Sequence, residues 1–178
     1  REYQQISQLD NITQDIEQQI RQYDEKVDHL ENQLLQIIKS DEKLKKNFDI
    51  ARSVRGIGPI ISAFMLVTTN NYTSFKDGRK YACYAGIAPF EHSSGSSIKG
   101  KTSVSHMANK KIKTLFSNGA NVAYKFDPEL KAYYQRKKEE GKEHKLIINA
   151  ISCKLINRVF AVVKRQSNYV SLYQQNFS

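Results

Sequence analysis

Hydrophobic positions in the first 48 residues recur on a regular beat. Ile16, Ile20, Tyr23, Val27, Leu30, Leu34 and Ile37 follow one another at steps of 4, 3, 4, 3, 4 and 3, and Leu9 and Ile12 extend the series backward through one irregular step. No Gly or Pro interrupts it, and Asp, Glu, Gln and Lys fill the other positions. A seam of this period held for about three heptads predicts one long helix over 1–48. Two packings satisfy it. The helix can lie on its own domain, or it can pair with a second helix as a coiled coil. The strict alternation favours the coiled coil, with a partner helix from a second copy or from another part of the protein, and a dimer formed through this arm.

The beat changes near Asp49. "DIARSVRGIGPIISAFMLVTT" reads as a helical lead-in, then Gly56-Ile57-Gly58-Pro59, then an apolar helix through about Leu66. Glycines permit a tight backbone turn, and proline suits the first turn of a helix. The pattern is that of a helix-hairpin-helix, whose exposed amides at a helix N-terminus contact phosphate. A plain helix–helix turn has the same pattern. "YTSFKDGRKYACYAGIAP" gives a turn at Asp77-Gly78 and a short helix bearing Tyr81 and Tyr84.

From about Asn109 a basic helix begins, with Lys110, Lys111 and Lys113 on one side and Ile112, Leu115 and Phe116 on the other. Asp127-Pro128 opens another helix, carrying Leu130, Tyr133 and Tyr134, which Gly141 stops. The last helix, over 145–164, places Leu146, Ile147, Ala150, Ile151, Leu155, Ile156, Val159, Phe160 and Val163 at helical spacing, a core pattern. Strand alternation, internal repeats and a Gly-rich nucleotide-binding fingerprint are not found. The predicted fold is mainly α: a long coiled-coil arm, 1–48, then a compact helical domain, 49–178, containing the hairpin motif.

Charge divides along the same line. Residues 1–48 carry 7 basic and 10 acidic side chains, whereas residues 49–178 carry 21 and 8, so the second part holds the whole net charge of +10. A domain this basic points to a polyanion, nucleic acid first. Arg52, Arg55, Gly56 and Gly58 at the hairpin, Lys99 and Lys101 in the serine tract, and Lys110, Lys111 and Lys113 are the candidate DNA contacts. Cys83 and Cys153 lie far apart without CxxC spacing, and His29, His92, His106 and His144 make no ligand cluster. These exclude a disulfide scaffold or zinc site and fit a reducing cytoplasm. No apolar run of the ~18 residues needed to span a membrane is read from the sequence, and no secretory signal. The chain opens at Arg1 without a methionine, as expected of a piece of a longer protein.

One tract lies outside the helical pattern. From Ser93 to Ser105, six serines alternate with glycines and lysines, directly after His92. A flexible loop has this composition. So does a site where one hydroxyl meets phosphate. A serine hydroxyl can attack a DNA phosphate and hold the strand as a phosphoserine ester, given cations around the phosphorus. Lys99, Lys101 and the amides of Gly95 and Gly100 are close in sequence. The nucleophile-elbow spacing Gly-x-Ser-x-Gly of a hydrolase is absent, and the carboxylates after residue 49 are scattered.

Four blocks in order, "RSVRGIGPIISAFMLV", "SFKDGRKYACYAGIAPFEHSSGSSIKGK", "VSHMANKKIKTLF" and "DPELKAYYQRKKEEGKEHKLIINAISCKLINRVFAVVKR", cover nearly all of residues 49–165. Together they resemble the C-terminal domain of bridge-RNA-guided DEDD insertion-sequence transposases, also called serine-dependent recombinases, with relatives among DNA invertases. The resemblance implies a preceding RNase-H-like domain holding Mg²⁺ on four carboxylates, with no cofactor in this chain. It also implies a guide RNA that selects DNA by base pairing, a homo-oligomer, a bacterial cytoplasmic setting, and a nucleophile in the "SG" motif. Ser94, immediately before Gly95, matches that nucleophile best, and Ser93 is the second choice. The family's "SKRGN" pattern is replaced here by "SHMAN" at 105–109, a loss that Lys110, Lys111 and Lys113 compensate in this reading. The alternative function is a non-catalytic DNA-binding and oligomerisation module.

Overall fold

A computed structural model describes the backbone of residues 2–88, 93–94, 98–99 and 109–171 and the side chains of 10–88 and 109–171. The fold is mainly α. The chain divides into two compact units, 1–42 and 43–178.

The first unit is the helix α1, Glu2–Ser40. Its seam stands open in the single chain except at Leu34, which is half-buried. Ile12, Ile16, Ile20, Tyr23, Val27, Leu30 and Ile37 are all exposed. The sequence pattern runs one helix through residue 48, but helical hydrogen bonding is interrupted at Asp41, and α2, Glu42–Arg52, begins anew. Phe48, Ile50 and Ala51 of α2 are buried, and Ile50 and Ala51 join the core of the second unit. The heptad count could not show this change of role, because an apolar residue at helical spacing serves a seam and a core alike.

The second unit continues with α3, Pro59–Thr68, α4, Gly78–Tyr84, α5, Lys110–Phe126, α6, Pro128–Glu139, and α7, His144–Arg165. Between α4 and α5 lie two short strands, β1, Ser93–Ser94, and β2, Ile98–Lys99, paired antiparallel with Ser93 opposite Lys99. The sequence gives no alternation there, because two-residue strands are too short to show a period.

Helix α7 is the centre. It packs on α4, α5 and α6, while α5 also packs on α3 and α6. Ile151, Leu155, Ile156 and Val159 are fully enclosed, together with Tyr81, Met65, Phe116 and Leu130. Burial stabilises by roughly 1.5–3 kcal/mol for each large apolar side chain of this kind. Among the described residues α7 is the one helix long and apolar enough to cross a membrane, a property the sequence pattern missed. Its apolar side chains form the core of the unit. Leu146, assigned to that core by its spacing, is exposed, and Ser152 is buried instead, donating to the carbonyls of Phe116 and Ile148.

Local chemistry sets the helix ends. Asp77 caps α4 by accepting from Lys80 N at 2.9 Å, and Asn109 caps α5 through Ile112 N. Asp127 caps α6 through Leu130 N at 3.1 Å. The Asp127 carboxylate also accepts from Arg158 Nη1 at 2.8 Å. Arg158 Nη2 lies 2.7 Å from Glu129 Oε2, an ion pair without the direction of a hydrogen bond. Both Asp127 and Arg158 are largely buried, so this clamp ties the start of α6 to α7. Burial pushes the Tyr81 phenol up to about 12, and its oxygen sits 2.8 Å from Thr68 Oγ1.

Candidate nucleic-acid interface

The turn between α2 and α3 is built by close approach to α5. Val54 N donates to Ala51 O and Ile57 N to Val54 O, folding the chain back, while Val54 and Ile57 bury their side chains. Gly56 has φ +93°, and a Cβ there would stand 2.6 Å from Gly119 O and 2.7 Å from Ala123 Cβ. The reverse also holds, since a Cβ on Gly119 would meet Gly56 O at 2.5 Å. Gly56 is therefore the residue that seats the turn on α5. Gly58 differs. It is the N-cap of α3, with ordinary extended backbone and open space around its Cα. No side chain caps α3, and Pro59 takes the first helical position. The turn residues Gly56 to Gly58, with Ile61 of α3, border a shallow groove of about 440 Å³ shared with Leu115, Asn118 and Val122 of α5.

The two arginines beside the turn are placed differently. Arg52 is exposed, with its guanidinium 5.4 Å from the Phe48 ring centroid. Arg55, also exposed, donates from Nη1 to the carbonyl of Phe126, the last residue of α5. A cation at the negative end of a helix dipole is favourable. This contact binds the turn to α5 a second time.

The serine tract is rooted at the other end of α5. Gly86, with φ +68°, turns the chain out of α4, and Ile87 N and Ala88 N both donate to Ala82 O. Returning, Asn109 N donates to Tyr84 O at 3.2 Å before its side chain caps α5. The described residues on either side of the tract, 87–88 and 109, are therefore held at the C-terminal end of α4. Ser93, Ser94 and Lys99 contribute backbone to the β1–β2 pair, while their side chains, and all of Lys101, lie outside the described residues. Lys110, Lys111 and Lys113 are exposed on the first turn of α5, and no acidic residue accompanies them. Cations at a helix N-terminus oppose its dipole, so this end of the helix is strongly electropositive.

A groove of about 500 Å³ opens from this end between α5 and α7, with Gly86, Lys113, Asn121, His144, Lys145 and Asn149 among its walls. Asn149 holds one rim by donating to Ile87 O at 2.7 Å. At the far end Tyr124 and Tyr134 stack at 4.3 Å, and the Tyr134 hydroxyl lies 2.8 Å from His144 Nδ1. Sequence reading missed this cluster because its members come from α5, α6 and α7. The one usable signal was the pair of basic residues, His144 and Lys145, opening α7 without an acidic neighbour in the first turn.

The predicted contacts thus form two groups. Arg52, Arg55, Gly56 and Gly58 lie by the second half of α5, and Lys110, Lys111 and Lys113 lie at its start. At 1.5 Å per residue the groups are ~20 Å apart along the helix. Among the described residues no three His, Cys, Asp or Glu side chains are grouped to hold a metal ion.

Comparison with known proteins gives this geometry its setting. Residues 49–135 match the family described as Transposase IS116/IS110/IS902 family. The pilin gene-inverting protein of Moraxella bovis is 29% identical over 147 residues, covering 82% of this chain and 46% of the relative. The insertion element IS110 uncharacterized 43.6 kDa protein of Streptomyces coelicolor is 31% identical over 122 residues, covering 68% of this chain and 30% of the relative. The insertion element IS116 uncharacterized 44.8 kDa protein of Streptomyces clavuligerus is 22% identical over 150 residues, covering 84% and 36%. The chain spans less than half the length of each of these relatives. Residues 49–135, from α2 through the α2–α3 turn, the serine tract and α5 into α6, are thus the part of the chain that is similar to the transposase domain of the IS116/IS110/IS902 family.

Proposed function

We propose that this chain is the arm and DNA-recombination domain of an insertion-sequence transposase, with Ser94 as its nucleophile and Ser93 as the alternative. The observation that supports the reading is that the residues leading into and out of the serine tract, Ile87, Ala88 and Asn109, are held where three exposed lysines open α5. In the reaction the Ser94 oxygen attacks a DNA phosphorus. An Oγ–P bond forms, one P–O bond to the sugar breaks, and the departing sugar oxygen takes up a proton as Oγ loses one. Lys110, Lys111 and Lys113 stabilise the charge on the phosphoryl oxygens. The α2–α3 turn acts as a helix-hairpin-helix, holding backbone phosphates with the first amides of α3 and with Arg52.

Three further elements rest on the family resemblance. Mg²⁺ belongs to an RNase-H-like domain beyond this chain. A guide RNA selects the DNA by pairing. The α1 seam pairs with a second copy as a coiled coil, for which its exposed heptad positions are the support.

The test is DNA strand exchange by a chain as long as the relatives, compared with its Ser94→Ala and Ser93→Ala variants. Loss of exchange and of a covalent protein–DNA adduct in Ser94→Ala, with DNA binding retained, supports the nucleophile. Loss only in Ser93→Ala moves the role by one residue. Full activity in both variants leaves a non-catalytic DNA-binding and oligomerisation module as the reading.

A further inference from the structure

Further along α7 than the α5 groove, a cavity of about 570 Å³ lies among the loop 69–77, Asn47 of α2 and the last turns of α7. Three of its walls are aromatic. Tyr72 meets Phe160 edge to face at 5.5 Å, and Phe75 packs against Tyr81 at 5.2 Å. Its polar side chains include three amides, Asn47, Asn71 and Asn157, and three charged groups, Lys76, Asp77 and Lys164. Asn47 Nδ2 donates to Asn71 Oδ1 at 2.8 Å, and Asn47 Oδ1 accepts from Gln166 Nε2 at 2.9 Å. This chain of amides satisfies Asn47 and half of Asn71. Asn71 Nδ2 and Asn157 Oδ1 have no protein partner among the described residues. Lys76 and Lys164 are exposed at the rim, and Asp77 is already engaged in capping α4.

The loop that presents Asn71 is strained. Asn70, Asn71 and Tyr72 have φ of 47°, 52° and 64°, three successive left-handed residues without a glycine. Asparagine tolerates this region, whereas an aromatic residue rarely enters it. Such outliers collect at binding sites, where the surroundings hold them. Here Asn71 N donates to Leu66 O at 2.7 Å and Tyr72 N to Thr69 Oγ1 at 2.8 Å, fixing the strained turn.

We propose that this cavity receives one unpaired nucleobase of a bound nucleic-acid strand. The base lies against the aromatic walls, as single strands stack on aromatic side chains. Its edge bonds to Asn71 Nδ2 and Asn157 Oδ1, a donor and an acceptor that suit the mixed edge of a base. Its phosphate meets Lys76 and Lys164. An apolar peptide side chain would make no use of the two amide groups, and a base paired and stacked in a duplex must be opened out before it can lie against these rings. The inference rests on the nucleic-acid reading above and adds a site that discriminates unpaired from paired strand.

The experiment measures binding of short DNA and RNA single strands carrying one 2-aminopurine, the same strands abasic at that position, and a blunt DNA duplex. The protein is compared with Asn157→Ala and Asn71→Gly, the latter keeping a left-handed backbone that glycine adopts freely. Thermal unfolding shows that each variant is folded. The expected result is quenching of 2-aminopurine by the parent protein, and binding about tenfold weaker for the abasic strand and for both variants. Duplex affinity stays unchanged throughout. Quenching by DNA alone or by RNA alone supports the site and identifies its source. Equal binding of abasic and base-bearing strands, or quenching that survives both variants, overturns the site while duplex binding keeps the wider reading intact. Failure of strand and duplex alike to bind overturns both.

Discussion

Replacing Gly56 with alanine tests whether the turn between α2 and α3 is seated on α5 as described. The new Cβ would stand 2.6 Å from a carbonyl oxygen of α5 and 2.7 Å from the Cβ of Ala123. Neither atom can rotate away, so the turn must lift or α5 must bend. Overpacking of this kind costs roughly 1–3 kcal/mol. The backbone at φ +93° adds about 1–2 kcal/mol for an L-residue. The expected loss is therefore about 2–5 kcal/mol, a large share of the 5–15 kcal/mol typical of a folded domain. Urea unfolding followed by circular dichroism reads it as a lower midpoint.

The control is Gly58→Ala. That Cα has open space and ordinary backbone geometry, so only the weaker preference for alanine at an N-cap applies, about 1 kcal/mol or less. Gly119→Ala completes the argument. It gains up to ~1 kcal/mol of helix propensity but places a Cβ 2.5 Å from Gly56 O. The double variant Gly56→Ala with Gly119→Ala should lose less than the two single losses added, because the same contact is broken once. Equal midpoints for Gly56→Ala and Gly58→Ala would refute the close-approach account, whatever the double variant does.

Three further outcomes are expected. Val27→Glu with Leu30→Glu should convert a dimer into monomers in light scattering, because charges replace two exposed seam residues that need a partner helix; an unchanged mass would remove the seam from assembly. Arg52→Ala should lower the slope of log K against log salt by about 0.9 for DNA binding, one phosphate contact. Arg55→Ala should change it less, because that guanidinium already bonds Phe126 O. Asp127→Ala should cost about 2–4 kcal/mol, from the lost α6 cap and the buried Arg158 left with Glu129 alone. Asp127→Asn should recover the capping part, and a neutral Asp127→Ala would show the clamp to be idle.

The helices of the second unit are legible in the sequence because their ends carry their own chemistry. Asp127 accepts from Leu130 N and Pro128 takes the first helical position, so "DP" marks the start of α6 without tertiary information. Gly141, at φ +77°, marks its end. Faces are less legible than boundaries. Leu146 has core spacing, yet it stands in the first turn of α7 beside the groove. Periodicity says which face turns inward but not where along the axis the neighbouring helix stops. The left-handed run at 70–72 is invisible for another reason. Such backbone is normally announced by glycine, and here asparagines and a tyrosine occupy it, with the amides of residues 71 and 72 donating to residues 66 and 69.

The candidate site divides in the same way. Each basic group is legible as composition, and the sequence places Arg52 and Lys110 in one DNA-binding set. The structure gives them different neighbours. α5 acts as a ruler between them: Gly119 and Phe126 receive the hairpin at one end, while Asn109 receives the returning serine tract at the other. The helical rise along the 17 residues of α5 fixes that separation at ~20 Å, longer than any side chain can reach. Under the proposed function, the phosphates held at the α2–α3 turn and the phosphate attacked by Ser94 are then different ones on the same DNA. The proposed nucleophile therefore depends on α5 in two ways, through the lysines beside its start and through the anchored strand that its far end positions. Weakening the hairpin's hold should displace the scissile phosphate from Ser94 without touching the serine tract itself.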